Sequence, residues 1–219
     1  MKKSTGIKGI AGIISPGNGK DHSLPLMEMY YTIQGEGQHT GKPAFFIRLG
    51  GCDVGCVWCD VKESWNAENH PAASIKKMVA EAAAHPSRFA VITGGEPCMY
   101  NLASLCNELH KKKFTIALET SGAYSIRGKF DWICVSPKKF KFPLRQNLRK
   151  ADELKVIVYN KSDFQWAEKN AENVNSDCKL FLQPEYSVFE RVMPQIIQYV
   201  KQNPRWKISL QTHKILRVP

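Results

Sequence analysis

The chain has 219 residues, of which 43% are hydrophobic and 23% are charged, a composition that is ordinary for a soluble globular protein. The 31 basic and 20 acidic residues give a formal charge of +11, which is compatible with nucleic acid, with a small anionic substrate or with a surface that binds nothing. No stretch approaches the ~18 consecutive apolar residues that span a bilayer, so the sequence excludes a membrane helix.

The first 24 residues are predicted to be an N-terminal extension, and residues 25–219 a single domain. Residues 1–8 are basic and residues 10–14 are weakly apolar, which is how a signal peptide begins. A lysine and two glycines interrupt the apolar run, however, and no small-residue cleavage pattern follows. The sequence therefore predicts a flexible extension and a cytoplasmic protein.

Apolar runs predict strands, and apolar residues at helical spacing predict helices, in alternation along the domain. The predicted strands are residues 44–49, 89–93, 114–119, 132–135, 153–158, 179–182 and 207–210. The predicted helices are residues 74–84, 101–111, 162–172 and 188–202. Residues 138–150 are predicted to be a basic connector. Strands that alternate with helices indicate an α/β fold with a parallel sheet and right-handed crossovers.

A glycine-rich loop follows the first of these strands, over residues 50–60, and we call it the cysteine loop. Cys52, Cys56 and Cys59 have the spacing Cys-x3-Cys-x2-Cys, so three thiolates can meet at one metal centre. A closed zinc site needs four ligands, whereas three cysteines suit a 4Fe–4S cluster with one iron open to a small molecule. A zinc knuckle with His70 or a distant cysteine as the fourth ligand is the alternative. Either site indicates a reducing compartment.

Five further polar motifs follow the ends of predicted strands. They are Gly94-Gly95-Glu96-Pro97, Glu119-Thr120-Ser121-Gly122, Ser136-Pro137-Lys138, Gln183-Pro184-Glu185 and Gln211-Thr212-His213-Lys214. In barrels and in open α/β sheets, the carboxyl ends of the strands form the edge that binds ligands. Each motif alone is typical of an ordinary turn. Together with the cysteine loop, the five predict one binding site.

The cysteine loop, with Trp58 between its last two cysteines, and the Gly-Gly-Glu-Pro motif resemble the radical S-adenosylmethionine superfamily. The resemblance implies that the three cysteines hold a 4Fe–4S cluster and that S-adenosylmethionine chelates its open iron. Reduction of the cluster would then cleave S-adenosylmethionine to a 5′-deoxyadenosyl radical, which abstracts a hydrogen atom. In such enzymes the protein supplies positioning, and the cofactor carries the difficult chemistry.

A narrower set of motifs resembles the 7-carboxy-7-deazaguanine synthases. It consists of Ile33-Gln34-Gly35-Glu36-Gly37, Arg48, Thr93-Gly94-Gly95-Glu96-Pro97, Glu119-Thr120-Ser121-Gly122, Ser136-Pro137-Lys138 and Gln211-Thr212-His213-Lys214. The resemblance implies a lyase of queuosine and deazapurine biosynthesis that contracts 6-carboxy-5,6,7,8-tetrahydropterin to 7-carboxy-7-deazaguanine and releases ammonia. It also implies a modified, incomplete (β/α) barrel, a homodimer, an external electron donor, and no nucleic-acid or membrane partner.

The same resemblance implies a role for particular residues, without assigning a catalytic side chain. The residues implied to bind S-adenosylmethionine are Trp58, Asp60, Gly95, Glu96, Ser136, Pro137, Lys138 and Gln183. The residues implied to bind the pterin are Ile33, Gln34, Gly35, Arg48, Thr93, Glu119, His213 and the terminal carboxylate of Pro219. Cys52, Cys56 and Cys59 are implied to be the metal ligands.

Elementary chemistry agrees with some of these roles. The aminopyrimidinone edge of a pterin needs paired donors and acceptors, which Gln34, Glu119 and His213 can supply. Arg48 suits the substrate carboxylate, because a guanidinium binds carboxylate with two parallel hydrogen bonds. A structural ion pair is the alternative for Arg48, and a surface or core position is the alternative for His213.

The position after Cys59-Asp60 departs from the family. It usually carries Thr or Ser, whose hydroxyl helps to bind a magnesium ion beside the substrate carboxylate, but here it is Val61. The sequence therefore puts Mg²⁺ in doubt.

Two other functions are compatible with parts of the sequence. A glycyl-radical activase of the same superfamily would share the cysteine loop but would have less need for Arg48 and the Gln-Gly-Glu motif. A zinc-bearing nucleic-acid-binding module would account for the +11 charge and would bind nucleic acid in a strongly salt-dependent way.

Overall fold

The structure, a computed structural model, describes residues 23–219, which form a nine-stranded sheet and six α-helices. The strands are β1 (Ser23–Ile33), β2 (Pro43–Leu49), β3 (Ala72–Ser74), β4 (Phe89–Gly94), β5 (Thr115–Thr120), β6 (Trp132–Val135), β7 (Glu153–Val158), β8 (Lys179–Pro184) and β9 (Trp206–Ile208). The helices are α1 (Ile75–Ala83), α2 (Ala103–Lys111), α3 (Arg145–Lys150), α4 (Ser162–Ala171), α5 (Phe189–Gln202) and α6 (Thr212–Leu216). Most of the predicted extension, residues 1–22, lies outside the described residues.

The strand order across the sheet is β3-β1-β2-β4-β5-β6-β7-β8-β9. Every neighbouring pair from β2 to β9 is parallel, as the alternation of strands and helices predicts. β1 and β3, which are not among the predicted strands, extend this sheet, and β1 pairs antiparallel with both β2 and β3. The short connection over residues 34–42 explains the antiparallel pairing of β1 with β2, because a parallel crossover needs about a dozen residues or more.

The two outer strands, β3 and β9, do not pair with each other, so the sheet stays open. The predicted modified, incomplete (β/α) barrel is therefore confirmed. The connection between β1 and β2 reaches across to the far side of this barrel. The Gly37 amide donates to Ser209 Oγ at 2.9 Å, and the Gln38 amide donates to Glu153 Oε2 at 3.1 Å. The two sides of the open sheet are thus linked through this connection.

Alternation along β2 separates the outer core from the inner face of the barrel. Phe45, Ile47 and Leu49 are buried in the core that includes the apolar side chains of α1 and α2. Phe46 and Arg48, at the intervening positions, face a cavity inside the barrel. Since successive side chains of a strand point to opposite faces, the position of Arg48 follows from the burial of its neighbours.

The side chains of strand β7 also alternate between a core and the cavity. Leu154, Val156 and Val158 are fully buried in a second core that also contains side chains of α4 and α5. Lys155 and Ile157 face the cavity. A strand covered on both faces is usually apolar throughout, so the lysine in the middle of β7 marks the polar interior of the barrel.

The helices agree with the predicted periodicity in most places. The Ser74 hydroxyl accepts a hydrogen bond from the Lys77 amide and caps α1, as a serine at this position predicts. The predicted connector over residues 138–150 is wrong in its second half, because residues 145–150 form α3. His213 lies in the short helix α6.

No helix within residues 23–219 is long and apolar enough to cross a membrane.

Candidate active site

One cavity of about 310 Å³ lies inside the barrel, at the carboxyl ends of the parallel strands. Residues of the cysteine loop and of all five strand-end motifs line it. The connection between β1 and β2 contributes Gln34, Gly35 and Glu36. The convergence of six motifs at one site, which their positions after strands predict, is therefore found in the structure.

Seventeen of the nineteen site residues named from the sequence line this cavity. They are Ile33, Gln34, Gly35, Arg48, Cys52, Cys56, Trp58, Cys59, Asp60, Thr93, Gly95, Glu119, Ser136, Lys138, Gln183, His213 and Pro219.

The other two, Glu96 and Pro137, lie behind the cavity wall. The Glu96 carboxylate is 1% exposed and accepts hydrogen bonds from the Thr120 hydroxyl, the Ser121 hydroxyl and amide, and the Cys98 amide. Glu96 thus fastens the loop after β4 to the loop after β5. The Pro137 carbonyl accepts from the Trp166 indole N–H at 3.2 Å.

The cysteine loop has little regular structure of its own. At the start of the loop, the main chain is hydrogen-bonded to the segment that follows it. The Gly51 amide donates to the Ser64 carbonyl at 2.6 Å, and the Cys52 amide donates to the Trp65 carbonyl at 3.0 Å. The Cys59 amide donates to the Cys56 carbonyl at 3.1 Å. Within the described residues, none of the amides from 53 to 58 donates to a backbone carbonyl.

The donor set of this loop fits an iron–sulfur cluster. All three thiols face one cavity, and burial raises the pKa of Cys52 and raises that of Cys56 to about 11. A bound metal removes these protons, because the thiolate is the ligand. As they stand, no three His, Cys, Asp or Glu side chains within residues 23–219 are close enough to share one metal ion.

The loop after β4 packs directly against the cysteine loop. A Cβ atom added at Gly95 would lie 2.5 Å from the Gly51 carbonyl oxygen and 2.7 Å from Cys52 Cβ. The Glu96 amide donates to the same Gly51 oxygen at 2.8 Å. A side chain at position 95 would therefore push the two loops apart, which explains why the motif has glycine here.

Glu36, Lys155 and Glu119 form an ion-paired group in the cavity, which we call the charged floor. Lys155 Nζ lies 2.7 Å from Glu36 Oε2 and 2.9 Å from Glu119 Oε2, and the lysine side chain is 4% exposed. Gln211 Nε2 donates to the second oxygen of Glu36 at 3.0 Å. The floor thus combines residues from the first connection, β5, β7 and the segment after β9.

The charges of the floor stabilise one another. Burial opposes the charge on Glu36, but Lys155 and the amides of Gln211 and Gln183 outweigh it and lower the pKa of Glu36 to about 2. Burial also disfavours the charge on Lys155, but the surrounding acidic groups hold its pKa well above the usual value. Glu36 and Lys155 are therefore charged at neutral pH.

Arg48 lies at one side of the cavity and already has two partners. Its Nε donates to Glu28 Oε1 at 2.6 Å, and its Nη2 donates to the Tyr30 hydroxyl at 2.9 Å. The structural ion pair considered from the sequence is therefore present. Arg48 and Tyr30 also face the cavity, and a guanidinium has five N–H donors, so donors remain for a ligand.

A second polar group lies near the cysteine loop. Lys138 Nζ donates to Ser136 Oγ at 2.5 Å and lies 5.4 Å from the centre of the Trp58 ring. Burial lowers the pKa of Lys138. Gln183 is 2% exposed and accepts from the Ser209 hydroxyl at 2.6 Å. These side chains are held in place without a ligand.

His213, in α6, and Pro219, which follows that helix, both line the cavity. Gly35 packs against the imidazole, and a Cβ atom at Gly35 would lie 2.2 Å from His213 Nδ1. Burial lowers the pKa of His213, so the imidazole is mostly neutral at pH 7. The Thr32 hydroxyl donates to the Pro219 main-chain oxygen at 3.1 Å.

Val61 also lines the cavity, beside Asp60. Ser64 lies close to it, since its hydroxyl donates to the Val61 carbonyl at 2.7 Å. Ser64 is 1% exposed and faces the same cavity. This part of the wall therefore has a hydroxyl nearby, although position 61 itself has none.

Sequence reasoning missed Lys155 and did not assign a role to Glu36, Tyr30 or Gln211. A signal for Lys155 was present, because it interrupts the apolar positions of a strand between Leu154 and Val156. Nothing local in the sequence pairs it with Glu36, which is 119 positions away.

Residues 46–155 match the Radical SAM superfamily. Together with the open (β/α) barrel and the three-cysteine loop after its first parallel strand, this match defines a radical S-adenosylmethionine enzyme.

Relatives of similar length identify the branch. A 7-carboxy-7-deazaguanine synthase from Flavobacterium psychrophilum is 52% identical, over 91% of this chain and 95% of that protein. The one from Synechocystis is 45% identical, over 90% of this chain and 94% of that protein. A crystal structure of QueE from Escherichia coli superposes with a TM-score of 0.78 at 33% identity, covering 86% of this chain and 94% of that one. The chain belongs to the 7-carboxy-7-deazaguanine synthase family.

Family membership decides between the functions considered from the sequence. The chain is a lyase of the radical S-adenosylmethionine type, which uses a 4Fe–4S cluster and S-adenosylmethionine. The zinc knuckle, the zinc-bearing nucleic-acid module and the glycyl-radical activase are therefore wrong for this chain.

Proposed function

We propose that the chain converts 6-carboxy-5,6,7,8-tetrahydropterin to 7-carboxy-7-deazaguanine with release of ammonia. The proposal is supported by a single cavity that is lined both by three thiols and by an ion-paired group of carboxylates. The relatives carry the name of the product. The observation that carries the proposal most strongly is the charged floor. Any radical S-adenosylmethionine enzyme needs the three thiols, whereas a substrate with several N–H donors needs the carboxylates of the floor.

The charged floor is proposed to bind the aminopyrimidinone edge of the pterin. Glu36 and Glu119 present carboxylate oxygens to the N–H groups, and Gln34 and His213 add donors and acceptors. A hydrogen bond to a charged group is stronger than one between neutral groups. Lys155 lies between the two carboxylates and pairs with both, which fixes their positions for a ligand. Lys155 is therefore a positioning residue, acting through Glu36 and Glu119.

The substrate carboxylate is proposed to bind at Arg48. The two bonds that Arg48 makes with Glu28 and Tyr30 fix its plane, which lowers the entropic cost of binding a second anion. Thr93 lies on the neighbouring strand β4 and is the residue that pairs with Arg48 in the strand register. Ile33, Gly35 and Pro219 also line the cavity, and we assign them to the pterin as well.

S-adenosylmethionine is proposed to lie between the cysteine loop and the loops after β4, β6 and β8. Gly95 lets the loop after β4 pack directly against the cysteine loop, and Ser136, Lys138 and Gln183 offer polar groups already held by their neighbours. Trp58 and Asp60 are assigned to the same ligand. When bound, the cluster and S-adenosylmethionine supply a carbon radical for hydrogen-atom abstraction. The protein's part is to align the substrate with it and to exclude water.

The proposal also covers the metal ion, the assembly, the compartment, the electron donor and the catalytic domain. A Mg²⁺ ion beside the substrate carboxylate would have to use ligands other than residue 61, because valine has no oxygen donor. The active form is a homodimer, in a reducing cytoplasm, and it receives electrons from an external donor. Residues 25–219 are its single catalytic domain.

Anaerobic turnover tests the reaction. We expect the protein with its reconstituted cluster, S-adenosylmethionine and dithionite to convert the carboxytetrahydropterin to equal amounts of 7-carboxy-7-deazaguanine and ammonia, as measured by mass spectrometry. The Glu119→Gln variant should load its cluster normally but turn over slowly with a raised KM. Cleavage of S-adenosylmethionine without any deazaguanine product from the wild type would overturn the proposal.

A further inference from the structure

The connection between β1 and β2, residues 34–42, crosses the amino ends of the parallel strands. The His39 ring packs edge-on against Phe89, the first residue of β4, and against Trp132, the first residue of β6, with ring centres 4.9 and 4.8 Å apart. The carboxyl ends of the same strands surround the cavity. This connection therefore closes the barrel at the end opposite to the strand-end motifs, and we call residues 34–42 the barrel plug.

The barrel plug also forms part of the cavity wall. Gln34, Gly35 and Glu36 line the cavity, and the Glu36 amide donates to Gln34 Oε1 at 3.1 Å. In the proposed function, Gln34 and Glu36 bind the aminopyrimidinone edge of the pterin. The main-chain position of the plug therefore decides where these two side chains begin, although the Glu36 carboxylate itself is paired with Lys155.

Glu153, the first residue of β7, holds the barrel plug in place. Its Oε2 accepts from the Gln38 amide at 3.1 Å and from Trp132 Nε1 at 3.2 Å. A Cβ atom added at Gly37 would overlap Glu153 Oε1, and Gly37 has a φ of 63°. The plug can therefore pass directly against this carboxyl group only with glycine at position 37.

Glu153 is a buried acid that the proposed function leaves without a role. Its residue is 2% exposed, it does not line the cavity, and it forms no salt bridge within residues 23–219. Burial raises the pKa of Glu153, against the opposing effect of Lys155. Burying such a group is costly unless its hydrogen bonds are needed. The group that the plug and Trp132 need is an acceptor for two N–H donors.

We propose that Glu153 is a positioning residue for the pterin, acting through the barrel plug. Its bond to the Gln38 amide fixes the plug, and the plug sets the places of Gln34 and Glu36 in the cavity wall. Glu153 itself touches no ligand. This inference rests on the proposed function for the identity of the ligand, and it requires an acceptor at position 153, not a charge.

Calorimetric binding of carboxytetrahydropterin tests the inference, with the protein loaded with its cluster and S-adenosylmethionine and without reductant. We expect Glu153→Leu to weaken pterin binding about 10-fold, because the Gln38 amide loses its acceptor and the plug shifts. The kcat at saturating pterin should stay within about 2-fold of wild type, and S-adenosylmethionine binding should not change.

Conservative variants separate the acceptor from the charge. Glu153→Gln should keep wild-type pterin affinity, because its amide oxygen can accept from both Gln38 and Trp132 while its nitrogen lies beside the Cys134 sulfur, which is 3.6 Å from Glu153 Oε1. Glu153→Asp is one methylene shorter and should weaken binding by a smaller factor. It carries the same test should Glu153→Leu not fold.

The matched control is Glu168→Leu in α4. Glu168 also accepts from an indole, that of Trp206 at 2.9 Å, but it lies outside the cavity and does not contact the plug. We expect this variant to lower the unfolding midpoint and to leave pterin affinity unchanged. Hydrogen exchange at the Gln38 amide should be faster in Glu153→Leu than in wild type and unchanged in the control.

Three results would overturn the inference. Equal pterin affinity in wild type and Glu153→Leu would remove the positioning role, and an equal loss in Glu168→Leu would trace the effect to general destabilisation. A loss in Glu153→Gln as large as that in Glu153→Leu would show that Glu153 acts through its charge on Lys155. Absence of pterin binding by the wild type would instead count against the proposed function, whereas unchanged exchange at Gln38 in Glu153→Leu would count against the plug contact whatever the ligand.

Discussion

The charged floor and the cysteine loop line the same cavity, yet the chain holds them in very different ways. The floor is held by the protein itself, through the ion pairs of Lys155 and the side-chain amide of Gln211. In the cysteine loop, residues 53–58 donate no backbone hydrogen bond to a backbone carbonyl within the described chain. The difference teaches that the substrate side is assembled before any ligand arrives, whereas the metal side depends on the group that it binds.

The comparison extends to electrostatics. In the floor, each charge is offset by an opposite charge within 3 Å, so that ionisation stabilises the fold. In the cysteine loop, burial makes the thiolates of Cys52 and Cys56 costly, and their pKa values rise. A positive metal centre reverses that cost. The charged floor is therefore stabilised by its own ion pairs, whereas the cysteine loop is stabilised by the metal centre that it binds.

Removal of a cysteine ligand should have the largest effect. We expect Cys52→Ala, Cys56→Ala and Cys59→Ala each to lose the iron–sulfur absorbance and all turnover, because the other four cysteines are buried in separate elements of the fold. The unfolding midpoint of the metal-free protein should change little. Cys178→Ala, in the loop before β8, is the control and should load a full cluster. Full cluster content in any of the three loop variants would contradict the assignment of ligands.

Disruption of the floor should act on folding, in contrast to the cysteine variants. Lys155→Met leaves Glu36 and Glu119 close together without a counter-charge, and breaking a buried ion pair in this way costs about 3–5 kcal/mol. We expect urea unfolding to show a loss of that size. Combining Lys155→Met with Glu36→Gln should restore part of it, because one stranded charge is then removed. A loss no larger than about 0.5 kcal/mol for Lys155→Met would show that the floor is not a stabilising group.

The Arg48→Lys variant separates charge from geometry at the substrate side. Lysine keeps the positive charge but loses the planar donors that hold Glu28 and Tyr30 and that suit a carboxylate. We expect pterin affinity to fall about 10-fold, as one charge-assisted hydrogen bond is lost, with S-adenosylmethionine binding unchanged. Equal affinity for the pterin in both proteins would leave Arg48 with its structural ion pair alone.

The smallest effect is expected at Val61. Without a hydroxyl at this position, wild-type turnover should depend only weakly on Mg²⁺, and Val61→Thr should gain a stimulation of a few-fold. Turnover in chelator and in added Mg²⁺ measures both. Complete inactivity of the wild type in chelator, restored by Mg²⁺, would show that another oxygen such as that of Asp60 or Ser64 replaces the missing ligand.

Much of the fold could be predicted from the sequence, because local patterns decide it. The strand over residues 132–135 and the strand over residues 153–158 have the predicted bounds, since each is a short apolar run between turn residues. The polar motifs after the strands indicated one edge of the sheet and, with it, most of the cavity wall. These features depend on neighbours within a few positions.

The features that the sequence did not predict depend on contacts between residues that are far apart in the chain. The antiparallel pairing of β1 is set by the length of its connection and by the open edge of β2. In the sequence, Lys155 is a single charged residue within a predicted strand. Its partners Glu36 and Glu119 come close to it only when the barrel is folded. The partners of Glu96 also depend on distant contacts, because its carboxylate accepts hydrogen bonds from Thr120 and Ser121 at the end of the next strand.

Hydrogen exchange on the metal-free and cluster-loaded protein, under anaerobic conditions, tests the central comparison most directly. We expect the amides of residues 53–58 to exchange at least about 10-fold more slowly once the cluster is bound, and the amides of residues 36–38, which are already hydrogen-bonded, to exchange at the same rate in both forms. Equal protection of both segments before metal is added, or equal slowing of both after it, would contradict a floor built by the protein and a loop completed by its cluster.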